Sequence, residues 1–227
     1  MSKSFHNIFF NSKEINIYGK VKRSIVSYFL IIFLILLTFP VIKLIDFIII
    51  NFIGLESVVA LISKSRQLID TRYSFVSIAI IVPLIEEIIF RLHLKPKLIN
   101  MQISLSLIII YVINGSILNI NIYSSVFWIS IVTTISVLYL VKINYGSILK
   151  LYNTKIKTIT IFSIFLFGLI HLVNIKPLHY EISPLYFFFI FPQIIMGYFI
   201  SNLRLKLGFF WGYGLHVMIN TISIIIH

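Results

Sequence analysis

Long apolar stretches alternate with short polar connectors along most of this chain. From residue 73 onward the alternation is regular, and each stretch is close to the ~20 apolar residues that a helix needs to cross a bilayer. Together with an earlier apolar run, the pattern predicts an all-α fold, a polytopic transmembrane helical bundle of about seven to eight spanning helices. The six regular stretches are Tyr73–Leu94, Ile103–Ile122, Ser125–Val141, Thr158–Asn174, Pro184–Ser201 and Leu207–Ile226.

The earlier run extends from Ser24 to Phe52 and contains Pro40, Lys43 and Asp46. It is longer than one crossing requires. It therefore forms either one tilted helix kinked at its proline or a spanning helix followed by a half-helix. The mixed sequence 54–72 is typical of an amphipathic segment that lies at the membrane interface.

Composition agrees with a membrane protein. Of the 227 residues, 59% are hydrophobic and only 11% are charged, whereas a soluble domain carries about 25% charged residues. The net charge of +12 does not indicate a nucleic-acid partner, because the basic residues lie between the hydrophobic stretches rather than in one patch. There is no cysteine, which excludes disulfides, thiolate metal sites and cysteine nucleophiles.

The basic residues instead carry a topology signal. Thirteen Lys and Arg lie in segments 1–23, 95–102, 142–157 and 202–206, and four lie in the connectors of the opposite side. Basic connectors favour the cytosolic side. We therefore expect an integral protein of the cell membrane with a cytosolic N-terminus and the lipid bilayer as its surroundings.

The stretch 74–95 carries Glu86, Glu87 and Arg91 at membrane depth. Each such charge costs roughly 2.5–3.5 kcal/mol or more, so a specific role is expected. Glu87 and Arg91 are four residues apart and share a helix face, where they can pair. Glu86 points about 100° away, and a carboxylate without that partner in an apolar place is suited to handle protons.

Pro83 lies just before these carboxylates. Because proline has no N–H, the carbonyl of Ala79 loses its helical donor. We expect the helix to bend at this point.

Two later stretches add polar groups. His171 follows Phe167 by four residues, and Asn220 follows His216 by four, so each pair shares a face. Glu86 with His171 can deprotonate a water as general base. His216 and Asn220 can donate hydrogen bonds to the oxyanion that forms when this water attacks a carbonyl. An alternative is one Zn²⁺ bound by Glu86, His171 and His216.

Gly212 and Gly214 stand just before His216 on the last stretch. Small residues let membrane helices approach closely. We expect a close helix contact there.

In their order, these motifs resemble the CPBP family, the CAAX-protease and bacteriocin-processing intramembrane proteases, which include prenyl-protein endopeptidases and the Abi proteins. The resemblance covers about residues 74–226. The matching motifs are E-E-x-x-x-R at Glu86, Glu87 and Arg91, F-x-x-x-H at Phe167 and His171, and H-x-x-x-N at His216 and Asn220.

The resemblance implies a hydrolase that cleaves a peptide or membrane-protein substrate. It implies that Glu86 and His171 activate water and that His216 and Asn220 form the oxyanion hole. It leaves open a metal-free or a zinc-dependent mechanism, the oligomeric state, and whether the substrate is prenylated. It divides the chain into a cytosolic basic segment 1–23, an anchor with an interfacial segment 24–73, and a catalytic membrane core 74–227. The supporting residues by motif position are Glu87, Arg91 and Phe167.

Two features depart from the family pattern. Leu92 follows the F-R pair, where family members usually have glycine. The spacing of 85 residues from Glu86 to His171 is long, as if a helical hairpin at about 103–142 were inserted. Two other functions therefore stay open: a non-proteolytic bacteriocin-immunity or adaptor protein on this scaffold, and a carrier with Glu86 as its proton site.

Overall fold

The computed structural model describes residues 16–114 and 121–225, and every regular element among them is helical. The predicted all-α fold is confirmed for these residues. Residues 1–15 of the predicted basic segment and 115–120 of the predicted hairpin lie outside the described part. The α-helices are α1 Ile17–Ile48, α2 Val58–Arg72, α3 Val82–Arg91, α4 Leu98–Asn114, α5 Ser125–Ile143, α6 Tyr145–Ile170, α7 Tyr186–Leu207 and α8 Phe209–Ile225.

Helix length and composition support a membrane protein. Among the described residues, four helices are long and apolar enough to cross a membrane, against the seven to eight predicted, and α4 and α8 are shorter apolar helices. In α1 only 6% of the most apolar window is buried. Apolar side chains such as Phe33 and Leu36 therefore point outward, as contact with lipid requires. The four long helices are Ile17–Ile53, Ser125–Ile143, Tyr145–Asn174 and Tyr180–Leu207.

The chain divides into two compact units. The first unit combines the residues up to Pro83 with those from Ile164 onward, and the second is Leu84–Ser163. Each is described by itself below.

In the first unit, the long N-terminal run is one helix. It continues from α1 through a π-helical turn, Ile49–Ile53, so the half-helix alternative is wrong. Its 37 residues extend about 55 Å at ~1.5 Å per residue, which exceeds the ~30 Å hydrocarbon core. Pro40 lies inside the helix without ending it.

Buried Asp46, near the end of α1, helps to cap the N-terminus of the following helix, α2. Ser57, the N-cap of α2, donates its hydroxyl to Asp46 Oδ2 at 2.7 Å, and the Val59 N–H donates to Oδ1 at 3.3 Å. A carboxylate at a helix N-terminus satisfies amide donors that have no partner in the helix and interacts well with the helix dipole. α2 is the segment predicted to be amphipathic.

Helices α7 and α8 approach closely where Gly212 lies. A Cβ at this position would stand 3.1 Å from the Ile200 carbonyl oxygen and 3.2 Å from Arg204 Cβ. At Gly214 it would meet no described atom within 4 Å. The predicted close contact is thus confirmed at the first glycine alone.

The polar connector predicted at 202–206 is helical, since α7 runs through it to Leu207. Arg204 is buried, and its guanidinium carbon lies 4.7 Å from the centroid of the Phe209 ring. This cation–π contact explains how an arginine that reads as a connector residue is accommodated inside the fold.

In the second unit, α4 packs against α5, which fits a helical hairpin on either side of the undescribed residues. The connector predicted at 142–157 is largely helical, because α6 begins at Tyr145, directly after Asn144. The helix has one non-helical residue, Lys155, with φ −121° and ψ 19°. The predicted break is therefore reduced to a local kink.

Candidate functional site

The charged pair of the second unit is formed as predicted. Arg91 Nη1 donates to Glu87 Oε1, and both side chains are completely buried. A buried charge without its counter-charge is expensive, so the pair explains why both residues are tolerated at membrane depth.

Glu86 lies on the same helix as this pair and is half-buried. Its carboxylate is close enough to Tyr111 of α4 to interact electrostatically with the phenol. Nothing in the sequence singled out Tyr111, since it lies in an apolar stretch with no spacing that links it to Glu86.

The end of α3 is held by serines from two other helices of its unit. Ser104 donates to the Ile89 carbonyl at 2.5 Å, and Ser163 donates to the Phe90 carbonyl. The last carbonyls of a helix lack donors within the helix. The two serines therefore fix the turn that carries the charged pair.

In the first unit, Pro83 changes the hydrogen-bond register before α3. A π-helical turn, Ser77–Ile81, precedes it, and the Val82 N–H donates to the Ser77 carbonyl. In this register the next donor would be the nitrogen of Pro83, which has no hydrogen. The Ile78 carbonyl is thereby left without a helical donor. A widened turn therefore precedes the carboxylates, and the expected bend of the helix at Pro83 stays a prediction.

Asn220 supplies the missing donor. Its Nδ2 donates to the Ile78 carbonyl at 3.3 Å, and the Tyr213 hydroxyl donates to the Ile80 carbonyl at 3.2 Å. The last helix thus stabilises the π-helical turn. In this state one Asn220 N–H serves the backbone, while the amide carries a second N–H.

Phe167 is the common neighbour of both candidate histidines. Its ring centroid lies 5.0 Å from that of His171 and 5.8 Å from that of His216, both edge-to-face. Phe167 and His216 are completely buried. The phenylalanine of the F-x-x-x-H motif therefore packs between the two imidazoles.

His171 lies at a helix end, not well inside a helix as the sequence indicated. α6 ends at Ile170, and His171 begins a 3₁₀ turn to Asn174. Its Nδ1 donates to the Phe167 carbonyl at 2.8 Å, because a carbonyl can only accept. In the neutral ring the proton then sits on Nδ1, and Nε2 carries a lone pair that can accept a proton.

A cavity of about 310 Å³ in the first unit brings His171 and Asn220 together. Its walls come from α1, α2, the π-helical turn, the 3₁₀ turn after α6, α7 and α8. Apart from isoleucine, methionine and proline, the lining residues are polar: Arg66, His171, Asn174, Gln193, Asn220 and Ser223.

Arg66 and Gln193 were not predicted as site residues. Arg66 Nη2 donates to both the carbonyl and the hydroxyl of Ser223, each at 2.9 Å, and so joins α2 to α8. Gln193 Oε1 is buried and has no hydrogen-bond partner among the described residues. Sequence spacing could not reveal Arg66, because its partner Ser223 lies 157 residues further along the chain.

The candidate residues thus divide between the units. His171 and Asn220 line one cavity, and His216 contacts Phe167 but is not among the lining residues. Glu86, Glu87 and Arg91 belong to the second unit. In the part of the chain that the structure describes, no group of three or more His, Asp or Glu could hold a metal ion, so the zinc alternative gains no support.

In the described residues, the regular elements are helical, four helices are long and apolar enough to cross a membrane, and one unit has a cavity lined by both apolar and polar residues. Compared with models of protein families, with curated proteins and with solved structures, the chain gives no match to any.

Proposed function

We propose that the protein is an intramembrane endopeptidase of the cell membrane, with seven to eight spanning helices and a cytosolic N-terminus. It hydrolyses a peptide bond of a membrane-associated or peptide substrate. The observation that supports it most is the cavity, which His171 and Asn220 both line among mainly apolar residues. The order of the three motifs, which resembles the CPBP family, supports it independently.

The reaction is hydrolysis without a covalent intermediate. Glu86 and His171 take a proton from water as its oxygen attacks the carbonyl carbon, and the carbonyl becomes an oxyanion. His216 and Asn220 donate to that oxyanion. When the C–N bond breaks, the proton held by the base passes to the leaving nitrogen, and the proton of the new carboxylic acid follows, giving a carboxylate and an ammonium group. The His171 hydrogen bond to Phe167 suits this role, because it directs the accepting lone pair to Nε2.

A second candidate is a non-proteolytic immunity or adaptor protein on the same scaffold. Two observations favour it: Asn220 donates to the Ile78 carbonyl, and His216 is completely buried against Phe167. Both residues serve packing in this state, and packing alone would explain them.

The two candidates are separated by comparing cells that carry equal levels of native protein, Glu86→Gln and His171→Gln. New peptide termini are profiled in membrane and secreted fractions. Exposed Glu56 and half-buried His179 supply the matched controls Glu56→Gln and His179→Gln. Proteolysis requires termini that disappear with both site variants and persist with both controls. Identical profiles in all five strains would reject the endopeptidase and favour the binding scaffold.

A further inference from the structure

We propose that this protein binds an anionic phospholipid in a groove between the beginning of α1 and α8, with an acyl chain in the groove and the phosphate near Arg23 and Lys206. The proposal goes beyond the proposed function and does not depend on it. The groove has a volume of about 480 Å³ and belongs to the first unit. It shares no lining residue with the cavity that His171 and Asn220 line.

The walls of the groove are largely apolar. α1 contributes Val21, Ser24 and Ile25, and α8 contributes residues between Phe210 and Met218. The wall formed by α8 is about 12 Å long at ~1.5 Å per residue. The Ser24 hydroxyl donates to a carbonyl of its own helix one turn earlier. The lining therefore favours a hydrocarbon chain over a polar ligand.

The groove opens to the outside of its unit. Ile25 is 48% exposed and Phe210 is 81% exposed. A Cβ at Gly214 would meet no described atom within 4 Å, so this glycine leaves the middle of the groove unfilled. α1 is one of the helices long and apolar enough to cross a membrane. In a bilayer such a groove faces hydrocarbon, and an acyl chain can enter it from the side.

Basic side chains lie at one end of the groove. Lys22 and Arg23 are exposed and follow Val21 in the first two turns of α1. Arg23 is close enough to Lys206, in the last turn of α7, for the two positive charges to act on each other. Like charges repel at short range, and an anion near both is attracted by both. A phosphate group is such an anion, and arginine and lysine both bind it well.

The two features together select one class of ligand. A free phosphate ion would bind at the basic end but leave the groove empty. A phosphatidylcholine would fill the groove but bring a positive choline to the basic end. An anionic phospholipid such as phosphatidylglycerol fits both parts, and basic pockets between membrane helices are known to bind anionic headgroups. Trp211 lies in the groove, as suits a residue type that is common where hydrocarbon meets headgroups.

The test uses the full-length protein in phosphatidylcholine vesicles and measures the fluorescence of Trp211. Trp128→Phe, in the other unit, leaves Trp211 as the single tryptophan of the chain. A growing fraction of the lipid is replaced by phosphatidylglycerol with brominated acyl chains or, in matched samples, by brominated phosphatidylcholine. Bromine quenches a tryptophan that it contacts. We expect the anionic lipid to reach half-maximal quenching at a fraction at least about fivefold lower, since one basic residue adds about that factor.

A first pair of variants tests the headgroup site. Arg23→Gln combined with Lys206→Gln should bring the two brominated lipids to about equal effect. Lys142→Gln combined with Lys150→Gln removes the same charge from exposed positions of the second unit. This control should keep the native preference.

A second pair of variants tests the acyl site. Gly214→Leu places a side chain in the groove and should lower quenching by the brominated anionic lipid at least about twofold, because leucine occupies the space that the chain would fill. Gly146→Leu is the matched control, since a Cβ at this other helical glycine also meets no described atom within 4 Å. It should be quenched as native protein is.

Four results would overturn the proposal. Equal quenching of native protein by the two brominated lipids would show that the groove does not select charge. Quenching by neither would show that protein covers the groove, as a second copy of the chain would. A preference that survives Arg23→Gln with Lys206→Gln would reject these residues as the phosphate site. Unchanged quenching in Gly214→Leu would reject the groove as the acyl site.

Discussion

The side-chain amide of Asn220 donates to the main-chain carbonyl of Ile78, 142 residues earlier in the chain and 3.3 Å away. That carbonyl lacks a helical donor because the turn is π-helical and the next donor position is Pro83. Removing the amide should therefore leave an unsatisfied carbonyl. We expect Asn220→Leu to lower the free energy of unfolding by about 1–3 kcal/mol, measured by denaturation in detergent.

Pro83→Ala provides the control for this pair. Alanine restores an N–H at position 83. In that background, Asn220→Leu should therefore lower the free energy of unfolding by less than it does in native protein. Equal losses of unfolding free energy in both backgrounds would show that the hydrogen bond from Asn220 to Ile78 does not compensate for the missing N–H of Pro83.

A second prediction concerns the buried ion pair. Glu87→Gln or Arg91→Met alone should destabilise the protein by about 3–5 kcal/mol, because each leaves one buried charge without its counter-charge. The double variant should be less destabilised than the sum of the two. Thermal or denaturant unfolding of native protein, the two single variants and the double variant gives the coupling free energy between the two side chains. Additive effects would mean that the two charges do not depend on each other.

The Glu87–Arg91 ion pair could be predicted from the sequence, whereas the hydrogen bond from Asn220 to Ile78 could not. Glu87 and Arg91 are four residues apart, so helix geometry alone brings them together. Asn220 and Ile78 meet only through the packing of α8 against the π-helical turn. The same holds for Arg66 and Ser223, which are 157 residues apart. Sequence spacing identifies the members of a helix face but not which faces meet.

The positions of the helix ends are the features of the fold that the sequence predicted least well. Arg204 lies in a segment that its charges mark as a connector, yet α7 continues through it. At Lys155 the backbone is non-helical, but α6 resumes after this kink. Lys and Arg have good helix propensity, so charge by itself does not end a helix. His171 shows the opposite error, since an apolar sequence continues around it although α6 ends one residue before it.

A third prediction uses the two glycines before His216. Gly212→Ala should destabilise the protein by about 1–3 kcal/mol, because its Cβ would press on the Ile200 carbonyl and on Arg204. Gly214→Ala should be neutral or stabilising by up to ~1 kcal/mol, since the site is open and alanine favours the helix. The unfolding midpoints of the two variants, each compared with that of native protein, measure these effects. A larger loss at position 214 than at 212 would contradict the packing of α7 against α8.

The last prediction concerns the attachment of α2. Arg66 is joined to Ser223 near the end of α8 by two hydrogen bonds, and both residues line the cavity. Arg66→Met keeps most of the side-chain length but removes the donors, so α2 should open more often. We expect amide hydrogen exchange in residues 58–72 to rise severalfold, with little change in α4, which lies in the other unit. Lys64→Met, at an exposed position on the same helix, is the matched control and should exchange as native protein does. Equal exchange in the two variants would show that the bonds of Arg66 to Ser223 do not hold α2 over the cavity.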